Sequence, residues 1–137
     1  MVMEQVIASA RVLVVEDDEA IADVLRRSLR AEGHEVRSAG DGAEALTAAE
    51  QFSPDLVVLD LGLPRLDGME VCRRIRGQVD TAYLPVVMVT ASGEEEKIKA
   101  LEAGADDFLT KPINQSELLA RVASLARIKR YQDTIKR

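Results

Sequence analysis

Five short apolar runs punctuate the chain: Arg11 to Val15, Glu35 to Ala39, Leu56 to Leu59, Pro85 to Thr90 and Ala105 to Leu109. Leu56-Val57-Val58-Leu59 and Val86-Val87-Met88-Val89 are apolar without alternation, the pattern of strands covered on both faces of a parallel sheet. The second and fifth runs mix polar with apolar positions and are expected at the sheet edges. Between the runs the spacing becomes helical. Ile21, Val24, Leu25 and Leu29 mark the inward face of a first helix that stops at Gly33, and His34 then opens the next strand with its side chain toward solvent. Further helices are predicted over Ala43 to Gln51, Gly68 to Arg76 and Glu94 to Ala103, the last stopped by Gly104. A fifth follows Asn114, whose spacing to Glu117 matches a capping box.

A repeated strand–helix unit with right-handed crossovers predicts an α/β fold. The expected form is an open, doubly wound, five-stranded parallel sheet, (βα)5, with helices on both faces. Ligands of such sheets bind beyond the carboxyl ends of the strands, where the strand order reverses. With 137 residues, 47% of them hydrophobic, the chain can bury one core without disulfides or a structural metal. Residues 11–126 are expected to form that domain. The lead-in 1–10 lacks a basic start and is too short for a signal peptide or a membrane span. Cys72 is the single cysteine, which excludes an internal disulfide and fits a reducing cytoplasm; it is expected to pack on the third helix as a small hydrophobe. A net charge of −6 and the absence of Trp argue against direct nucleic-acid binding by this domain, so the expected partner is protein.

The carboxyl ends of the predicted strands carry Glu16-Asp17-Asp18, Asp60, Thr90 and Lys111-Pro112. Each has an ordinary explanation taken singly. Acidic residues begin helices, and Asp18 suits an N-cap; Asp60 suits a turn before Gly62 and Pro64, and Thr90 a strand-end cap. Together, at four strand ends, they form a constellation. Carboxylates converging on one mouth repel one another unless a positive charge sits among them, and a divalent cation answers that need. Oxygen-only ligands suit Mg²⁺, which keeps several waters and bridges to phosphate oxygens. Asp60 is then the candidate nucleophile toward phosphorus, with the metal, Lys111 and the Thr90 hydroxyl neutralising and positioning charge.

The motifs Val14-Val15-Glu16-Asp17-Asp18, Asp60-Leu61-Gly62-Leu63-Pro64-Arg65-Leu66-Asp67-Gly68, Thr90-Ala91, Gly104-Ala105-Asp106-Asp107-Phe108 and Lys111-Pro112 resemble those of the receiver domain of two-component response regulators, in order and spacing. The resemblance covers roughly residues 10 to 130. It implies a flavodoxin-like fold and phosphorylation of Asp60 by a sensor histidine kinase or phosphotransfer protein. It implies Mg²⁺ or Mn²⁺ held by Asp17, Asp60 and the Gly62 carbonyl, with Glu16 acting through water and Asp18 outside the set. Lys111 would contact the phosphoryl group and precede a cis proline, Thr90 would move inward, and Phe108 would be the switch aromatic. By the same resemblance the domain is no turnover enzyme; it catalyses its own phosphorylation and a slow autodephosphorylation. Leu63 stands where the family usually has Met, and Phe108 where it often has Tyr. Gly62 and Ser92, both small, stand where the family varies the side chains that screen attacking water, which suggests an open acyl phosphate.

Beyond the core, Leu125, Ile128, Tyr131 and Ile135 continue an apolar stripe among Arg127, Lys129, Arg130, Lys136 and Arg137. Residues 127–137 are expected to be a helical extension: a signalling helix that pairs with its copy, or a linker to an output domain. Homodimerisation is expected there or through the fourth helix, fifth strand and fifth helix. Two other classes fit less well. A phosphatase of the haloacid dehalogenase type needs a second Asp two residues after the nucleophile, where Gly62 stands, and a flavin phosphate would be repelled by Glu16-Asp17-Asp18.

Overall fold

The computed structural model describes residues 9–64, 66–91 and 93–135, with the side chains of Thr134 and Ile135 excepted. The lead-in through Ala8, Arg65, Ser92, Lys136, Arg137 and the Ile135 end of the apolar stripe therefore lie outside the described residues. Five strands, β1 (Arg11–Val15), β2 (Glu35–Ala39), β3 (Leu56–Asp60), β4 (Val86–Thr90) and β5 (Asp107–Thr110), alternate with five helices. These are α1 (Glu19–Ala31), α2 (Gly42–Phe52), α3 (Gly68–Arg76), α4 (Glu94–Glu102) and α5 (Gln115–Ile135). All strand pairings are parallel, in the order β2-β1-β3-β4-β5. The two mixed runs are the edges, and the unbroken apolar runs are fully buried in β3 and β4. No helix of the described residues is long and apolar enough to cross a membrane.

Strand alternation divides the core into two layers. Leu13, Val15, Val57, Leu59, Val86 and Met88 face α2, α3 and α4, where Ala45, Ala48 and Ala49 let a helix approach the sheet closely. Val12, Val14, Leu56, Val58, Val87 and Val89 face α1 and α5 and pack on Leu25, Leu29, Leu118 and Val122. Cys72 is buried in the first layer, as expected of a small hydrophobe. Side-chain caps fix the helix starts: Asp18 for α1, Asp41 for α2, Asp67 for α3, and Asn114 accepting from the Glu117 N–H for α5.

Three expectations are corrected. Strand β5 begins at Asp107, because the Ala105 N–H still closes α4 on the Ala100 carbonyl while Asp106 turns to meet Arg76. Ile21 and Val24 are 39% and 45% exposed, so the buried stripe of α1 is Ala22, Leu25 and Leu29. His34 does not face solvent. It is 6% exposed, and its Nδ1 accepts the Ala10 N–H at 3.0 Å, which ties the start of β1 to the turn after α1.

Burial holds the His34 imidazole below its ordinary 6.5, against the opposing charge of Glu32. The folded state therefore favours the neutral ring, and the unfolded chain takes up the proton first. The contribution to stability is complete above about pH 6.5 and is lost as pH falls below it toward the lowered folded value. The expected result is a lower urea midpoint at about pH 5.5 than at neutral pH. His34→Gln, which keeps an acceptor without the proton, should shrink that fall; equal falls in both proteins would remove His34 as its source.

Candidate functional site

The strand order reverses between β1 and β3, and the clustered carboxylates stand there. Asp60 is the last residue of β3 and 3% exposed; Glu16 follows β1 and is 4% exposed; Asp17 beside it is exposed. One carboxylate oxygen from each of the three lies within 4.8 Å of the others. Asp18 turns away to cap α1, accepting from the Ala20 and Ile21 N–H groups. Its own N–H donates to Glu16 at 3.0 Å, so the acidic triplet divides into two carboxylates at the pocket and a cap.

Lys111 follows β5 and brings its ammonium to 2.9 Å from Asp60 Oδ1, which also accepts the Gly62 N–H at 3.1 Å. The Lys111 N–H donates to the Thr90 carbonyl, and the Lys111-Pro112 bond is cis. Thr90 is wholly buried, its hydroxyl making a long 3.4 Å contact to the Leu109 carbonyl. Phe108 is half-buried, with the Lys97 ammonium 5.2 Å from its ring centre, a cation–π contact in the place where a phenol would have offered a hydroxyl. The site thus brings Glu16, Asp17, Asp60, Gly62 and Lys111 together, while Thr90 and Phe108 line the neighbouring β4 and β5.

The electrostatics show a mouth short of positive charge. Burial, reinforced by the Asp60 charge, pushes Glu16 up to about 7, although the Asp18 N–H and Lys111 oppose the rise. Burial works against the Lys111 charge, but its hydrogen bond to Asp60 and the surrounding carboxylates prevail and raise it. Among the described residues, one ammonium serves three carboxylates. An all-oxygen donor set of this size fits a hard divalent cation, which would offset the repulsion that Lys111 leaves.

Two features were missed by sequence reasoning. Gly68 is held so close to β3 that a Cβ there would lie 2.5 Å from the Asp60 carbonyl oxygen; the signal was an Asp-Gly pair opening a helix. The second is an apolar groove of about 390 Å³ beside the carboxylates, lined by Ile21, Val24, Pro112 and Ile113, with Glu16 and Lys111 at its rim. Its signal was the surplus of apolar positions on α1, wider than one buried stripe needs.

Fold and site together define a doubly wound, flavodoxin-like domain with a cluster of carboxylates at the switch point. Residues 12–123 match the family model of the response regulator receiver domain, and the chain belongs to that family. It is 48% identical over 126 residues to the response regulator MprA of Mycobacterium tuberculosis, covering 91% of this chain and 54% of that protein. It is 46% identical over 118 residues to the DNA-binding dual master transcriptional regulator RpaA of a Synechocystis species, covering 85% and 49%. The chain therefore spans about half the length of these curated relatives. Among solved structures, the receiver domain of the Francisella response regulator 1452 is 35% identical with a TM-score of 0.81, covering 86% of this chain and 97% of that one. The chemotaxis protein CheY4 of Vibrio cholerae is 30% identical with a TM-score of 0.80, covering 85% and 98%. Receiver domains are phosphoacceptor signalling domains of two-component systems, bind Mg²⁺ at an acidic pocket and interact with histidine kinases or phosphotransfer proteins.

Proposed function

We propose that Asp60 is the phosphoacceptor of this chain, taking a phosphoryl group from a histidine kinase or phosphotransfer protein. The observation that carries this is the pairing of the buried Asp60 with Lys111 at 2.9 Å, at the switch point and beside Glu16 and Asp17. An Asp60 carboxylate oxygen forms the new bond to phosphorus as the donor's bond to phosphorus breaks, giving an acyl phosphate. Lys111, charged and already on Oδ1, follows the phosphoryl oxygens, and the Thr90 hydroxyl, held only by a long contact, is available to move toward them. Asp17, Asp60 and the Gly62 carbonyl would hold Mg²⁺ or Mn²⁺, with Glu16 acting through water, and the ion would supply neutralisation of phosphoryl charge.

The groove of Ile21, Val24 and Ile113 gives an apolar donor helix a place to lie with its reactive group over Asp60. Phe108, packed under Lys97, reports the change to α4, β5 and α5. There, exposed Ile98, Leu101, Ile128 and Tyr131 offer a surface to a second copy or, through residues 127–137, to an output domain. A cytoplasmic setting is part of the same proposal.

Incubation with acetyl phosphate and Mg²⁺, read by intact mass and peptide mapping, should give one phosphoryl adduct on the Asp60 peptide and none with chelator present. No adduct under trapping conditions, or one mapped elsewhere, would sink the assignment. The lifetime of the adduct is a separate test. Among the described residues, its two chain neighbours apart, a Cβ at Gly62 would meet only Asp60 Oδ1, at 3.9 Å, so in this reading the acyl phosphate stands open to water on that side. Gly62→Asn should lengthen its half-life severalfold, and an unchanged half-life would show that water arrives by another route.

A further inference from the structure

A basic cleft lies along the β2 edge of this acidic domain. It has a volume of about 510 Å³ and is lined by Arg11, Arg26, Arg30 and Arg37, with Glu35 as the one acid of the lining. The net charge of the chain is −6, so four guanidinium groups around one cleft are a local reversal of its character.

Most of these groups are already engaged. Arg11 donates through Nε and Nη2 to the Phe52 carbonyl, pairs with Glu35 at 3.3 Å and lies 4.3 Å over the Phe52 ring. Arg26 reaches Ser38, Glu19 and Asp23. Arg30 spends one amine on the Val36 carbonyl at 3.1 Å. Arg37 is different: among the described residues, its guanidinium meets only the Phe52 ring, 5.3 Å away. Among the described residues, the Arg37 donors and the remaining amine of Arg30, both side chains lining the cleft, meet no acceptor.

The edge itself tells against a peptide. Glu35 donates to the Ala10 carbonyl and Glu16 to the Ala39 carbonyl, so Glu35, Arg37 and Ala39 turn their backbone groups toward β1, and Val36 and Ser38 turn theirs outward. Arg30 and Arg26 occupy the Val36 carbonyl and the Ser38 hydroxyl, and so lie across the edge where an added strand would pair. What stays open is cationic capacity over a shallow surface cleft wide enough for a small ligand. Guanidinium forks match a phosphate's three acceptor oxygens, and a dianion relieves the repulsion among the arginines.

We propose that this cleft binds a small phosphate-bearing molecule, with Arg37 and Arg30 as the phosphate contacts. Calorimetric titration with pyrophosphate, with adenosine diphosphate and with citrate, in chelator and at about 0.15 M salt so that weak surface attraction is screened, tests it. Asp60→Asn as the titrated protein keeps the carboxylate mouth from contributing. Saturable one-to-one binding of pyrophosphate or the nucleotide is expected, weakened about tenfold or more in Arg37→Glu and in Arg30→Ala. Arg37 is exposed, so its replacement should leave the melting temperature unchanged and the two effects separable. Tighter binding of the nucleotide than of pyrophosphate would assign the rest of the cleft to the ligand body. No saturable binding, equal binding by Arg37→Glu, or citrate binding as tightly as the phosphates would overturn the proposal. None of these outcomes bears on Asp60 as phosphoacceptor.

Discussion

Asp60→Asn should carry no phosphoryl adduct after exposure to acetyl phosphate and Mg²⁺ under conditions that convert the native chain. The loss should be complete, because a neutral amide oxygen is no nucleophile toward phosphorus and, among the described residues, neither neighbouring carboxylate is paired with Lys111 as Asp60 is. Asp17 is exposed and Glu16 is pushed up to about 7, by burial first and by the Asp60 charge as well. The substitution is nearly isosteric and removes one of three crowded carboxylates, so the fold should survive it. The Glu16 value should drop, since one cause of its elevation is gone, and the Lys111 value should drop with the loss of its main partner. Intact mass reads the first claim, a thermal melt the second and carboxylate titration by NMR the third. An adduct that persists in Asp60→Asn would move the acceptor to Asp17 or elsewhere.

Gly68→Ala should destabilise the domain and slow its phosphorylation together. The new methyl would stand 2.5 Å from the Asp60 carbonyl oxygen and 2.8 Å from the Leu61 Cα, which are backbone atoms with no rotamer to yield. Either α3 moves away from the sheet or the peptide after Asp60 shifts. Overpacking of this kind costs about 1–3 kcal/mol. Gly77→Ala is the matched control: it ends the same helix, and its Cβ would meet nothing nearer than the Arg73 carbonyl oxygen at 3.4 Å. A melting temperature several degrees lower for Gly68→Ala, with Gly77→Ala unchanged, is expected. Equal stability of the two would mean that the loop relaxes freely and that the close approach has no part in placing Asp60.

The sheet was legible because buried parallel strands need unbroken apolar runs, and Leu56–Leu59 and Val86–Val89 have no other use in a chain of this size. The carboxylates and Lys111 were legible because strand ends converge in such a fold, so residues far apart in sequence are brought to one mouth. What pattern did not give was the environment of single side chains. His34 is polar and follows a helix stop, which reads as surface; only the Ala10 N–H needing an acceptor in the fold explains its burial. Ile21 and Val24 have core spacing, but α1 presents more apolar positions than the sheet can cover, and the surplus forms the groove near Lys111. The Gly68 contact is a distance between segments, and composition carries no distances.

The apolar run of central strand β3 is Leu56-Val57-Val58-Leu59, the same in both directions. Sliding it by one residue would still set Leu or Val at three of these four positions, so apolar character within the run distinguishes the native alignment from its neighbour only weakly. The polar residues at its two ends do distinguish them. Asp55, just before the strand, accepts the Arg11 N–H at 2.8 Å, and Asp60, its last residue, meets Lys111 and the Gly62 N–H. A one-step slip would pull one of these carboxylates into the apolar layers and strip the other of its partners. The proposed acceptor of the signal is thus also a punctuation mark in folding, telling the chain where its innermost strand must stop.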